Sequence, residues 1–126
     1  MTSYIHSVTI DCANPAPLAD FWTAALGYVV EEGCIPDEEG ASIVDPAGRG
    51  PRLLLEPVPE HKSVKNRVHL DLSPSESMAA EVRRLIELGA RVVAEFREVT
   101  GTWTVMRDPE GNEFCVERGP RDRVGQ

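Results

Sequence analysis

The chain contains no CxxC pair and only three cysteines, Cys12, Cys34 and Cys115, an odd number at wide spacing. That usage speaks against a disulfide framework and for a reducing, cytoplasmic setting. Positive charge is scarce as well: thirteen Lys and Arg stand against twenty-one Asp and Glu, a formal net charge of −8. Phosphate contacts need a basic surface, so neither nucleic acid nor an anionic membrane is an expected partner. Long apolar runs are missing too. No stretch approaches the roughly 20 residues of a membrane span, and Met1 to His6 carry no basic region leading into an apolar one, so no signal peptide is expected. What is present is ordinary. Hydrophobic residues make up 41% and charged residues 27% of 126 residues, which fits one globular domain with one modest core.

Two segments read as helices. Asn14 suits the cap and Pro15 the first position of one; Leu18, Phe21, Trp22, Ala25 and Leu26 then form a single apolar stripe that Gly27 ends. The other opens at Ser73-Pro74-Ser75-Glu76, where Ser73 and Glu76 have capping-box spacing. Its stripe is Met78, Val82, Leu85 and Ile86, and Gly89 stops it. Each helix follows an alternating run that reads as a strand. Val8, Ile10 and Cys12 alternate with Ser7, Thr9 and Asp11; Val68, Leu70 and Leu72 alternate with Arg67, His69 and Asp71. Each helix precedes further strand-like stretches interrupted by an Asp-Pro-x-Gly turn, at Asp45–Gly48 and at Asp108–Gly111. The steps from Asp11 to Asp71, Gly27 to Gly89 and Asp45 to Asp108 are 60, 62 and 63 residues, so the same landmarks recur in one order at nearly one offset. The chain therefore reads as two βαβββ halves, about 4–56 and 66–118, joined by a Pro-, His- and Lys-containing connector. Together they make one domain over 1–118, with a polar, fraying tail at 119–126.

A tandem βαβββ repeat with these landmarks resembles the vicinal oxygen chelate superfamily, which includes glyoxalase I, bleomycin-resistance proteins and extradiol dioxygenases. The resembling residues are Ser7-Val-Thr-Ile-Asp-Cys, Asn14, Phe21-Trp22, Leu26-Gly27-Tyr28, Leu88-Gly89-Ala90 and Asp108-Pro-Glu-Gly-Asn-Glu-Phe. Within it, Lys65-Asn-Arg-Val-His-Leu-Asp-Leu together with the final turn is similar to an actinobacterial glyoxalase-like branch. The resemblance covers residues 4 to 118 and implies an α+β fold: two curved mixed sheets around a pocket, helices outside. It implies a small-molecule ligand and, by the habit of relatives, a homodimer. It does not by itself imply catalysis, because this fold carries lyases, isomerases, dioxygenases and non-catalytic drug binders.

Metal-dependent members hold one divalent cation with His and Glu side chains from both halves. Carried over residue by residue, the resemblance puts Ser7 at the first histidine position, Arg67 at the second and Cys115 at the ligand glutamate; the fourth position falls on Leu55 or Glu56. Serine and a guanidinium do not make a tight divalent site. No cofactor is therefore expected, and a metal-dependent lyase, isomerase or dioxygenase stands as the alternative, with His69, Glu56 and Glu117 as another conceivable donor set.

If Val8, Ile10, Cys12, Val68, Leu70 and Leu72 pack under the helices, the opposite parity faces a pocket. That face carries Ser7, Thr9 and Asp11, then Arg67, His69 and Asp71, then Glu113, Cys115 and Glu117. Imidazole ordinarily titrates near neutrality, so His69 is the candidate general base, with Asp71 beside it on the strand. Arg67 suits an oxyanion or carboxylate. Ser7, Thr9, Glu56, Cys115 and Glu117 are further candidate ligand contacts, and Cys115 becomes a nucleophile only if Arg67 or His69 lowers its pKa. Against these stands a scaffold role for His69 and Asp71 and simple burial for Cys115. Trp22 reads as core, while Trp103 and Tyr28 are aromatic candidates for stacking. The acidic run around Glu31, Glu32 and Asp37–Glu39 reads as a solvated loop, or else as a lure for a cationic ligand in a sequestering protein.

Overall fold

Alternation in Ser7–Cys12 becomes a strand because its odd and even side chains meet different surroundings. The computed structural model describes residues 1–123, in two compact units that divide between His61 and Lys62. In the first unit, β1 (Ser7–Cys12) leads into α1 (Pro15–Leu26), β2 (Val29–Val30), β3 (Ala41–Val44) and β4 (Arg52–Pro57). The sheet order is β1-β4-β3-β2, with β1 parallel to β4 and the other pairs antiparallel. A parallel pair needs a crossover, and α1 lies within it. Ile10 stands opposite Leu55 and Val8 opposite Leu53, so one face gathers Leu53, Leu55, Ala41 and Ile43 with Leu18, Phe21 and Trp22 of α1. Phe21 and Trp22 meet edge to face at 5.1 Å. Asn14 is the N-cap by position, though its side chain does not cap the helix; Pro15 opens the first turn, and Gly27 exits in the left-handed region at φ 69°.

The second unit repeats the scheme with β5 (Asp71–Leu72), α2 (Met78–Leu88), β6 (Arg91–Glu98), β7 (Gly101–Arg107) and β8 (Glu113–Glu117), in sheet order β5-β8-β7-β6. Again the first strand runs parallel to the last. Met106, Phe114, Val116 and Leu85 of α2 are fully buried. Both Asp-Pro-x-Gly turns close as expected: Gly48 N–H donates to the Asp45 carbonyl at 2.9 Å and Gly111 N–H to that of Asp108 at 2.8 Å. Each aspartate also collects further backbone N–H groups on its carboxylate. No helix among the described residues is long and apolar enough to cross a membrane.

Several local expectations need correction. The run Arg67–Leu72 is strand only at its last two residues, and Val68 is 77% exposed rather than packed under a helix. Here Asn66 ties the chain to Glu113, through N–H to carboxylate at 2.8 Å, which draws the segment away from a straight ladder. The second helix starts at Met78, not after Ser73: Ser77 is the cap, its hydroxyl accepting from Ala80 N–H at 3.1 Å. Residues 74–77 are held instead against the tail, where Arg121 N–H donates to the Glu76 carbonyl and Met78 N–H to the Asp122 carboxylate. The tail is thus structured through a 3-10 turn at Pro120–Arg123; the rest of it lies outside the described residues. Of the α2 stripe, Leu85 alone is buried and Ile86 remains 47% exposed. Tyr28 sits between α1 and β2, its hydroxyl donating to the Pro51 carbonyl at 2.9 Å.

Candidate functional site on the second sheet

Parity on the second sheet decides which side chains the site receives. Thr104, Met106, Phe114 and Val116 turn toward the buried side, which leaves Trp103, Val105, Cys115 and Glu117 on the other face. On that face lies a cavity of about 630 Å³ lined by His69, Asp71, Cys115, Glu117, Phe96 and Trp103, with Lys65, Glu98 and Arg118 among its further walls. Phe96 stands opposite Trp103 in the β6–β7 ladder, and their rings stack at 5.6 Å and 20°. Cross-strand aromatic pairs of this kind stiffen a wall and leave a flat apolar plate toward a ligand.

Asp71 lies opposite Cys115 in the parallel β5–β8 register. This neighbour acts on the thiol together with burial. Burial, the Asp71 charge and a hydrogen bond to Asp71 all push the Cys115 pKa up, and Glu117 adds to the effect; Lys65 alone opposes it. An activated thiolate needs cations around it, so the surroundings of Cys115 work against thiolate formation. Glu117 accepts a hydrogen bond from the Ser73 hydroxyl at 3.4 Å, which ties its carboxylate to the end of β5.

The face expected from the sequence is thus assembled in part. His69, Asp71, Cys115 and Glu117 line one cavity. Arg67 does not join them; it is exposed on the segment that Asn66 pulls toward Glu113. Glu113 sits apart, 6% exposed, paired with Lys62 at 3.0 Å. Ser7, Thr9 and Glu56 belong to the first unit and share one face of its sheet by register. There Ser7 Oγ accepts from Arg52 Nε at 3.0 Å, and Arg52 in turn pairs with Glu31 at 3.1 Å. Glu31 also accepts from Ser42, so the acidic run is partly internal structure. The sequence missed Phe96, Lys65 and Glu98; the i, i+2 spacing of Phe96 and Glu98 on a strand that ends before Gly101 was the available signal.

The positions that the family resemblance assigns to a divalent metal do not fit one. Ser7 is engaged by a guanidinium, Arg67 is itself a cation, Cys115 is held protonated, and Leu55 is buried in the apolar core at 1% exposure. Of the two residues at the fourth position, Glu56 shares the Ser7 face, opposite Asp11, whereas Leu55 has the other parity. Among the described residues no three His, Cys, Asp or Glu side chains gather in a way that could hold a metal ion.

The family model described as "Glyoxalase-like domain" matches residues 7–117. Solved structures of the same fold include a glyoxalase/bleomycin resistance protein/dioxygenase family enzyme from Burkholderia phytofirmans PsJN, at 18% identity and TM-score 0.69, covering 88% of this chain and 94% of that one. A genomically encoded fosfomycin resistance protein from Listeria monocytogenes, complexed with Mn(II) and 1S,2S-dihydroxypropylphosphonic acid, aligns at 13% identity over 100% of both chains with TM-score 0.74. A lactoylglutathione lyase from Agrobacterium tumefaciens aligns at 17% identity over 98% of both chains with TM-score 0.65. No curated protein sequence matches the chain.

Proposed function

The chain belongs to the glyoxalase-like domain family, and from that premise we propose that it binds a small organic molecule in the pocket beside His69 and Asp71. One observation carries this reading: a cavity of about 630 Å³ in which ionisable side chains and a stacked aromatic pair share the walls. That volume lies within the range of about 300–1,000 Å³ common to small-molecule sites. Phe96 and Trp103 offer the apolar plate. His69 offers a donor and an acceptor nitrogen and is the candidate general base toward the ligand, with Asp71 lining the same cavity. The lining holds three carboxylates, Asp71, Glu98 and Glu117, against three cations, Lys65, Arg118 and Arg123. The overall acidity of the chain therefore does not make this pocket a trap for cations, and a polar ligand of mixed character suits it better. The reading uses no divalent metal.

Tryptophan emission tests it. The chain has two tryptophans, and Trp22 is 1% exposed in the core, so quenching by a bound aromatic molecule reports Trp103. A panel of aromatic acids, amines and diols is expected to include saturable quenchers whose signal disappears in Trp103→Phe. Their affinity should fall about tenfold in His69→Ala, the loss of one good polar contact. If no class saturates, or if saturation survives unchanged in both His69→Ala and Asp71→Ala, the pocket is not the binding site.

A further inference from the structure

A second cavity, of about 360 Å³, lies on the same unit and has a different character. Its walls include Lys62, Lys65, Arg91 and Arg107, with Glu110 and Glu113 as the acidic residues. Four of the chain's thirteen Lys and Arg thus converge on one small space in a protein of net charge −8. The strand register explains how. Arg91 of β6 stands directly opposite Arg107 of β7, and Arg107 stands opposite Glu113 of β8, so the three form one row across the sheet on one face. The bulge between Val92 and Ala94 follows Arg91 and lets Val93 reach the same cavity.

Like charges placed directly opposite on neighbouring strands are destabilising. Glu113 relieves only part of this repulsion. Its carboxylate is already committed to Lys62 at 3.0 Å, Arg107 at 3.6 Å and the Asn66 N–H at 2.8 Å. Lys65 and Arg91 have no ion-pair partner among the described residues, and both face the cavity. The balance of formal charge among the ionisable lining residues is +2, four cations less two carboxylates. The net charge of −8 over the whole chain does not cancel it, since salt screens charges beyond about 8 Å at physiological ionic strength.

We propose that this cavity binds a tetrahedral oxyanion of the phosphate class, held by Arg91 and Lys65 with Arg107 behind them. A guanidinium presents a planar fork of donors that matches two oxygens of such an ion, and an ammonium adds a point charge. The anion would neutralise the Arg91–Arg107 pair, so occupancy also steadies the β6–β7 ladder. The site adjoins the pocket beside His69, with Lys65 and Val105 lining both, whereas Arg91 and Arg107 line this cavity and not that pocket.

The test is a titration of the whole chain with inorganic phosphate, followed by backbone amide shifts in NMR, against sodium chloride at matched ionic strength. Saturable shifts are expected at residues 62–65, 91, 107 and 111–113 with phosphate and not with chloride. Arg91→Met should weaken binding about tenfold or more, the usual cost of losing a charge-assisted contact. Arg91 is exposed, so the variant keeps its fold, which its own amide spectrum verifies. Arg49→Met removes the same charge from a side chain 85% exposed in the first unit and should leave binding unchanged. Shifts that stay linear and match those from chloride would overturn the proposal. So would saturable binding that Arg91→Met leaves intact.

Discussion

Glu113 shows how one carboxylate can be both deeply placed and fully charged. Burial acts to raise its pKa, but the Asn66 N–H and the Lys62 ammonium outweigh that and hold it at about 2. A depressed folded-state pKa stabilises the fold above the ordinary carboxylate range, and that stability is lost as pH falls toward the folded value. The window here runs from about 4.5 down to about 2. Urea unfolding midpoints should fall across it, and Glu113→Gln should start from lower stability at neutral pH and lose that segment of the acid slope. An unchanged slope in the variant would mean that other carboxylates carry it. Cys115 is the converse case. The sequence placed a thiol among candidate cations, but the register supplied Asp71 instead, and burial first, then that carboxylate, push the thiol's pKa up. No spacing rule fixes which of Arg67, His69 or Asp71 stands across from Cys115, because that depends on how far β5 slides along β8.

Among the elements, the helices were legible as stripes but not at every end. For α1 the Pro15 start and the Gly27 exit were visible locally and stand as read, with Asn14 at the cap position but its side chain not capping. For α2 the local spacing of Ser73 and Glu76 pointed to Ser73 as the cap, and the structure places the cap at Ser77 instead. The choice was made by residues more than forty positions away, where Asp122 accepts from Met78 N–H at 2.7 Å and from Gly119 N–H at 2.8 Å. Ser77→Ala should therefore cost about 1 kcal/mol in chemical denaturation, whereas Ser73→Ala should leave the helix unaffected. A larger loss in Ser73→Ala than in Ser77→Ala would restore the earlier start. The same distant contacts order the tail as far as Arg123, which a polar Arg- and Gly-containing sequence does not announce. In Arg67–Leu72 the alternation promised a full strand, and Asn66 bonding to Glu113 shortened it to two residues.

At the scale of the whole molecule, the duplicated order of landmarks became two sheets of matching topology, β1-β4-β3-β2 and β5-β8-β7-β6. The donors at the family's metal positions predict how the chain responds to metals: thermal unfolding should be unmoved by EDTA and should show no saturable rise with stoichiometric Mn(II), Ni(II) or Zn(II). Tight binding stabilises by several kcal/mol once the ligand greatly exceeds Kd, so a clear upward shift of Tm with any of the three would show that the donor set had been misassigned. The sequence by itself determined the repeat, the α1 stripe and both Asp-Pro-x-Gly turns, because each is written in neighbouring residues or in a fixed offset. Scarcity of positive charge was equally plain, yet it did not say where the few cations lie. Only tertiary structure set Arg91 against Arg107, Phe96 on Trp103 and Asp71 beside Cys115. Strand register is the physical reason: a shift of one residue turns every side chain to the other face, and nothing within a single strand specifies its partner.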